Sequence, residues 1–477
     1  MLDIFLTSGD SNLPLAVKKR GVYTQYMIRV AINGYGRIGR VAHRVITQWH
    51  SQDIEIAAIN AGSSTDINGW MYLLKYDSVY GLLPFDVSVK PSTDPANTAL
   101  LGSLVIDGKE IPVYSQKDPS QLPWKDLNVD VVIESTGVFT TADKLQAHIT
   151  AGAKAVVLSA PAKGEGIPTY VISVNDADYA GEKIISNASC TTNCITPVAK
   201  ILQDHFGIDK AMMTTVHGYT SDQRLQDSGH KDYRRSRAAA LSIIPTSTGA
   251  TVAAAESLPA LKGIFGGLSL RVPVPVGSLS DFTFLLKKDV TKEEVNDVLT
   301  KEAENPLYKG VLAVTTDPLV SSDIIGNSHS SIVDLSLTQV VGGNMVKVIA
   351  WYDNEYGYAN RLIEEAIMVA QQVGQAPTPA PSQPVSPAPE VPAPVAETPA
   401  SAAPVASASA STSLTDMFGS LGQSSTPPSA SPSTAPSVSP APLSGSFAPP
   451  APPASQTTET PAAPPAPVPS EEQKNQQ

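Results

Sequence analysis

The chain has 477 residues, a formal net charge of −12, 42% hydrophobic and 16% charged residues, and two cysteines. That acidity argues against a nucleic-acid surface, which needs a basic stripe. Two cysteines in such a length make no disulfide framework and point to a reducing, cytoplasmic setting, and no run approaches the roughly 18 apolar residues of a membrane span.

Taken in chain order, residues 1–26, "MLDIFLTSGDSNLPLAVKKRGVYTQY", carry their basic cluster after the apolar residues, the reverse of signal-peptide order. Met27 stands directly before an apolar strand, so this stretch is expected to be either a disordered leader or an extension upstream of the true start. "MIRVAINGYGRIGRVAHRVITQ" then predicts a strand, a turn through Gly34, Gly36 and Gly39, and an amphipathic helix. A second apolar strand, "IEIAAIN", follows where a βαβ unit requires it. Such glycines let the backbone approach a pyrophosphate, whose charge rests on the helix N-terminus. The acid that usually holds the adenosine ribose at the end of the second strand is missing. Asn60, Ala61 and Gly62 stand there, followed by Ser63, Ser64 and Thr65. A carboxylate would repel a 2′-phosphate and these residues would not, so the cofactor is NAD or NADP, with Lys117 a further candidate near the 2′ position. "VDVVIESTG", the helical "DKLQAHITAGA" and "KAVVLSAP" continue the alternation of a doubly wound sheet.

Both cysteines fall in "SNASCTTNCITP". The strand "KIISNA" leads into the amphipathic pattern "SCTTNCITPVAKILQDHFG", which puts Cys190 at a helix N-terminus with Ser189, Thr191 and Thr192 available as caps. Free amides and the helix dipole favour a thiolate there. Cys194, one turn on, reads as a small helix residue. An i, i+4 disulfide inside a helix is poorly placed, and zinc needs three or four ligands where no other cysteine exists, so no metal is expected. Cys190 is therefore read as a nucleophile, and a nucleophile needs a base. His43, His50, His148 and His205 read as surface or helix residues, whereas His217 ends the strand "AMMTTVH" and opens the polar loop "GYTSDQR".

"INGYGRIGR", "LLKYDSVYG", "ASCTTNC", "TVHGYTSDQR", "HKDYRRSRAAALSIIPTSTGA", "LRVPVP" and "WYDNEYGY" resemble, in order, the phosphorylating glyceraldehyde-3-phosphate dehydrogenase family. The resemblance covers about Met27 to Gly374. It implies an α/β fold: a Rossmann domain over 27–189, completed by a C-terminal helix at 354–374, and an α+β catalytic domain with a mixed or antiparallel sheet over 190–353. It makes Cys190 the nucleophile and His217 its base. Gly34, Gly36, Arg37, Ile38, Gly39 and Ser135 become cofactor-binding residues, with Asn354 and Tyr358 at the nicotinamide. Ser189, Thr191, Thr248 and Gly249 become the pocket for inorganic phosphate, and Thr220 and Arg271 the pocket for the phosphate of glyceraldehyde 3-phosphate. The loop from Tyr219 to Arg237 resembles one that reaches a neighbouring subunit's cofactor, which implies a homotetramer. An erythrose-4-phosphate dehydrogenase would share Cys190 and His217, but both anion pockets look complete, which tells against it.

From Gln375 to Gln477 proline recurs every few residues without hydrophobic periodicity, the composition of a disordered tail. Within it Leu414, Met417, Phe418 and Leu421 fall at i, i+3, i+4, i+7 in "SLTDMFGSLG", residues 413–422. That is either a helix-in-groove motif for a protein partner or chance clustering.

Overall fold

The computed structural model describes residues 27–373. The N-terminal extension, the tail and its motif at 413–422 lie outside the described residues. One eight-stranded sheet is built from residues 28–186. Its spatial order is 184–186, 155–158, 131–134, 28–33, 54–60, 109–114, 100–106, 87–91. The first six strands pair in parallel and the last two antiparallel. The parallel strands are apolar almost without interruption (Val131–Glu134 and Ala155–Leu158 are buried at every position), as sheets covered on both faces require.

Strand Ile28–Asn33 has Ile54–Asn60 on one side and Val131–Glu134 on the other. The chain therefore leaves it in opposite directions, and the crevice at its carboxyl end is a topological switch point. Gly34, at φ +95°, turns the backbone there; a Cβ on it would lie 2.6 Å from Thr136 N. Gly39 is closed in equally, with Gly34 O 2.1 Å from a would-be Cβ. Helix Arg37–Val45 starts beyond Gly36, which offers no side-chain cap, and its first turn holds no acidic residue.

A second sheet orders 244–246, 265–272, 208–218, 278–286, 345–352, 331–334, 312–315, with 339–341 beside 345–352. It is mixed: 208–218 pairs parallel with 265–272 and antiparallel with 278–286. Helix Cys190–Phe206 lies against it, burying Cys194, Val198 and Leu202 with Phe282, Phe284 and Val348. The last helix, Tyr356–Val373, returns to the first sheet, where Leu362, Ile363 and Ala366 share a core with Val30, Ile32 and Ile133. This α/β architecture, a Rossmann sheet beside a mixed sheet, is the one the sequence predicts. All four histidines set aside as surface or helix residues fall on helical segments, but His43 and His148 are completely buried.

Candidate active site

Three residues, Asn187 to Ser189, join the edge strand Ile184–Ser186 to the Cys190 helix. Ala188 takes φ 52°, a left-handed conformation uncommon for a non-glycine residue. Its N–H donates to Ser186 Oγ (3.0 Å) and its carbonyl accepts from Tyr358 OH (3.4 Å), so the tight turn is held on both sides. Ser189 is the N-cap, accepting from Thr192 N at 3.1 Å. Cys190 is thus the first helical residue, as predicted. Cys194 is fully buried, its Sγ 3.9 Å from Ser280 Oγ and from Ala350 O. Both thiols are free.

Cys190 Sγ lies 3.4 Å from His217 Nε2. His217 closes strand Ile208–Gly218, and its register partner on the parallel neighbour is Arg271. That pairing puts the guanidinium on the imidazole: Arg271 Nη1 stands 2.7 Å from His217 Nδ1 and 3.2 Å from Gly218 O. Burial and the Arg271 charge push His217 down to about 3, so its ring is neutral. Burial pushes the Cys190 thiol up, against the pull of Arg271 and Thr191. Desolvation thus opposes the thiolate that the helix N-terminus favours.

The cavity in front of this pair measures about 960 Å³. Its wall includes Arg37, Ile38, Ser189, Cys190, His217, Thr220, Arg271, Asn354 and Tyr358. The remaining residues singled out in the sequence lie elsewhere. Ser135 Oγ donates to Gly34 O (2.7 Å) and so fastens the glycine turn from behind. Thr191 is buried, with Oγ1 2.9 Å from Tyr352 OH. Thr248 Oγ1 accepts from Ala250 N (3.1 Å), and Gly249 is the N-cap of Ala250–Ser257, off the cavity wall.

Three features escape a reading of local pattern. Tyr352 OH bridges Thr191 and Thr215 Oγ1 (2.8 Å), with its ring edge-on to His217. Asp222 accepts from Thr220 Oγ1 and pairs with Arg235. Arg37 clamps Glu355 through Nε at 3.0 and 3.1 Å and also reaches Asp77, tying the glycine turn to the Asn354 loop. A Tyr two residues before Asn354 and an Asp two after Thr220 were the only available signals, and neither residue type is diagnostic.

A dinucleotide fits the chain's own residues. The uncapped, acid-free N-terminus of Arg37–Val45 offers amides to an anion, and a Cβ on Gly36 would meet nothing within 4 Å, so the approach is open. Asn354 Oδ1 is held by Ser278 Oγ at 2.8 Å, which leaves the donor end of the amide for a ligand.

Fold and cavity together define a dinucleotide-binding α/β protein with a cysteine–histidine pair at its main site. Residues 28–142 match the family model "Glyceraldehyde 3-phosphate dehydrogenase, NAD binding domain", and residues 189–354 match the model of its C-terminal domain. A glyceraldehyde-3-phosphate dehydrogenase of Borreliella burgdorferi is 51% identical over 346 residues, covering 71% of this chain and 98% of its own. One of Thermotoga maritima is 52% identical over 339 residues, with 71% and 98% covered. The chloroplastic form B of Pisum sativum is 48% identical over 349 residues, with 72% and 74% covered. The chain belongs to the glyceraldehyde-3-phosphate dehydrogenase family, a family of oxidoreductases.

Proposed function

We propose that this chain oxidises D-glyceraldehyde 3-phosphate to 1,3-bisphosphoglycerate, with NAD or NADP and inorganic phosphate, in glycolysis, gluconeogenesis or reductive carbon fixation. The observation that carries this reading is Cys190 Sγ 3.4 Å from His217 Nε2, in a cavity that also reaches Arg37 and Asn354. Cys190 attacks the aldehyde carbon and forms a hemithioacetal. His217 takes the hydroxyl proton, a role general bases fill at about 10²–10⁴-fold in rate. Bound nicotinamide supplies the hydride acceptor. The thioester left on Cys190 is then attacked by phosphate. Arg271 and Thr220 receive the substrate's own phosphate, and Ser189, Thr191, Thr248 and Gly249 the inorganic one. Gly34, Gly36, Arg37, Ile38, Gly39 and Ser135 shape the dinucleotide crevice, with Asn354 and Tyr358 at its nicotinamide end.

Because Thr248 and Gly249 stand off the cavity wall, a second reading has some support: water as acyl acceptor, as in an erythrose-4-phosphate dehydrogenase. Initial rates with glyceraldehyde 3-phosphate, with and without phosphate, separate the two. A phosphate-dependent rate that Cys190→Ser abolishes is expected. A rate indifferent to phosphate would favour the alternative, and a rate retained by Cys190→Ser would overturn both.

The enzyme uses both NAD and NADP on this proposal. Ala61 carries no charge, and the nearest carboxylate, Asp66, is occupied in capping Ile67–Lys75, its side chain accepting from Gly69 N at 2.8 Å. Lys117 is exposed beside Gln116, whose N–H donates to Asn60 Oδ1 (3.0 Å) at the same strand end. Ala61→Asp is expected to depress NADP turnover selectively; equal loss with both cofactors would refute the placement. The proposed assembly is a homotetramer, supported by large apolar side chains left exposed on the described residues, among them Tyr233 (87%), Leu241 (85%) and Met212 (63%). The proposed domain limits are 27–189 and 190–353, with the last helix returning to the first domain. A cytoplasmic location is likewise proposed. No helix among the described residues is long and apolar enough to cross a membrane. Docking of a protein partner by the 413–422 motif is supported by its spacing alone.

A further inference from the structure

Strand 54–60 is paired from end to end on one side, where Ile54 to Asn60 run parallel to 28–33 with one bulge. On its other side the register with 109–114 is confined to Ile59↔Val113 and Asn60↔Tyr114. Strand 109–114 is itself paired from Lys109 to Tyr114 with 100–106 on its far side. The two strands therefore meet at their carboxyl ends and part toward their amino ends. Where they part, the sheet opens into a second cavity of about 610 Å³, walled by Ile54, Glu55 and Ile56 of one strand and Lys109, Glu110 and Ile111 of the other.

The chemistry of this gap selects its occupant. Ile46, Phe85 and Ile106 add apolar surface between the two walls. The charged groups are Glu55, Asp107 and Glu110 against Lys109 alone, which disfavours a phosphate or any other anion. Glu55 and Glu110 already pair with Arg29 and Lys90, so a cation gains little there. Each wall is the edge of a strand, and a strand edge turns alternate main-chain N–H and C=O groups sideways. An apolar surface flanked by such edges suits an extended peptide, which adds main-chain hydrogen bonds to side-chain burial.

Met27 lines the same cavity, and it is where residues 1–26 join the first strand. Ile28 N donates to Asp53 O at 2.9 Å, which sets that junction beside the start of strand 54–60. The five residues before Met27 read "VYTQY", uncharged and rich in the β-branched and aromatic types that strands favour. Extended, they span about 17 Å, the length of the unpaired edge at 54–58. We propose that this cavity is the docking groove of the chain's own N-terminal extension. Residues 22–26 lie extended along the 54–58 edge. They run antiparallel to it, because the chain must leave the groove at the amino end to enter strand 28–33. Val22, Tyr23 and Tyr26 supply the buried apolar surface, and the basic run Lys18, Lys19 and Arg20 stays outside. The extension then completes the sheet at the point where its strands diverge.

Two measurements test this. The first is hydrogen exchange by mass spectrometry on the full 477-residue chain and on a chain starting at Met27. Peptides covering 54–58 and 109–112 are expected to exchange about tenfold more slowly in the full chain, and its Tm to lie about 2–3 °C higher. Val22→Asp combined with Tyr26→Asp should reproduce the shortened chain, whereas Lys18→Gln, Lys19→Gln and Arg20→Gln together should behave as the full chain does. Equal exchange at both strands with and without residues 1–26 overturns the proposal, as does a loss of protection from the basic-run variant alone. The second is photo-crosslinking from benzoylphenylalanine placed at Tyr23 in the otherwise unaltered full chain, with ¹⁴N- and ¹⁵N-labelled chains mixed before assembly. Crosslinks to residues 46–56 or 106–111 within one isotopic chain are expected. Crosslinks elsewhere, or to these residues only between chains, overturn the assignment and make the occupant a second copy or another protein.

Discussion

Replacing Tyr352 by Phe removes one hydroxyl from a chain whose direction can be deduced. Thr215 Oγ1 donates its proton to Leu279 O at 3.2 Å, so the Tyr352 OH must donate to Thr215 and accept from Thr191. Without the phenol oxygen, Thr215 keeps its donation while Thr191 loses its acceptor. Thr191 is 5% exposed and Thr215 fully buried. One buried donor left without a partner costs about 1–3 kcal/mol, and about 2 kcal/mol corresponds to a fall in Tm of about 2–3 °C for a folded part of this size. The freed Thr191 proton can turn toward Cys190 Sγ, 4.0 Å away, or toward a bound phosphate. Thermal unfolding at fixed protein concentration should therefore show the loss, while the KM for phosphate falls or holds. A Tm within 1 °C of wild type, or a phosphate KM that rises several-fold, would refute the direction assigned to the chain.

Cys194→Ser should retain most of the dehydrogenase activity, because Cys194 is enclosed by Ser280, Ser331 and Ala350 and burial pushes its thiol up to about 12; steady-state kcat checks this. At Ala188, a glycine relieves the left-handed strain but loses a buried methyl and adds chain entropy, so urea unfolding of Ala188→Gly should stay within about 1 kcal/mol of wild type. Ala188→Val places a β-branched residue at φ 52° and should lose about 2 kcal/mol or more, with kcat falling as Cys190 shifts. His43 is buried against Tyr35 and Arg44 and held down to about 3, so the unfolded chain binds its proton first as pH falls. Stability should therefore decline from about pH 6.5 toward pH 3, and His43→Gln should make that decline shallower in denaturant titrations.

Much of this site is legible in local sequence because its parts sit where elements begin and end. Gly34, Gly36 and Gly39 mark a strand–turn–helix, Ser189 and Cys190 a helix start, and His217 a strand end beside a polar loop. What escapes is whatever depends on contact across strands. Arg271 reads as a phosphate ligand from its motif, but its place on His217 follows from the parallel register of 208–218 with 265–272, which no periodicity reveals. Tyr352 is one more aromatic residue in an apolar strand until the second sheet brings it between two threonines. The thiol's direction of shift is hidden for the same reason: the helix N-terminus can be read from "ASCTTNC", but the enclosure around it is assembled from residues up to about 160 positions away.

The return of the last helix has a consequence for how the chain is made. Strands 28–33 and 131–134 present Val30, Ile32 and Ile133 to a face that Leu362, Ile363 and Ala366 cover. A ribosome that has finished the first sheet at Ser186 must add roughly 190 further residues before that cover exists, about 10–40 s at 5–20 residues per second. Throughout that interval the newborn nucleotide-binding half carries an open apolar strip. Any chain interrupted before Tyr356 keeps the strip for good, and so turns a truncated product into a substrate for chaperones and a seed for aggregation.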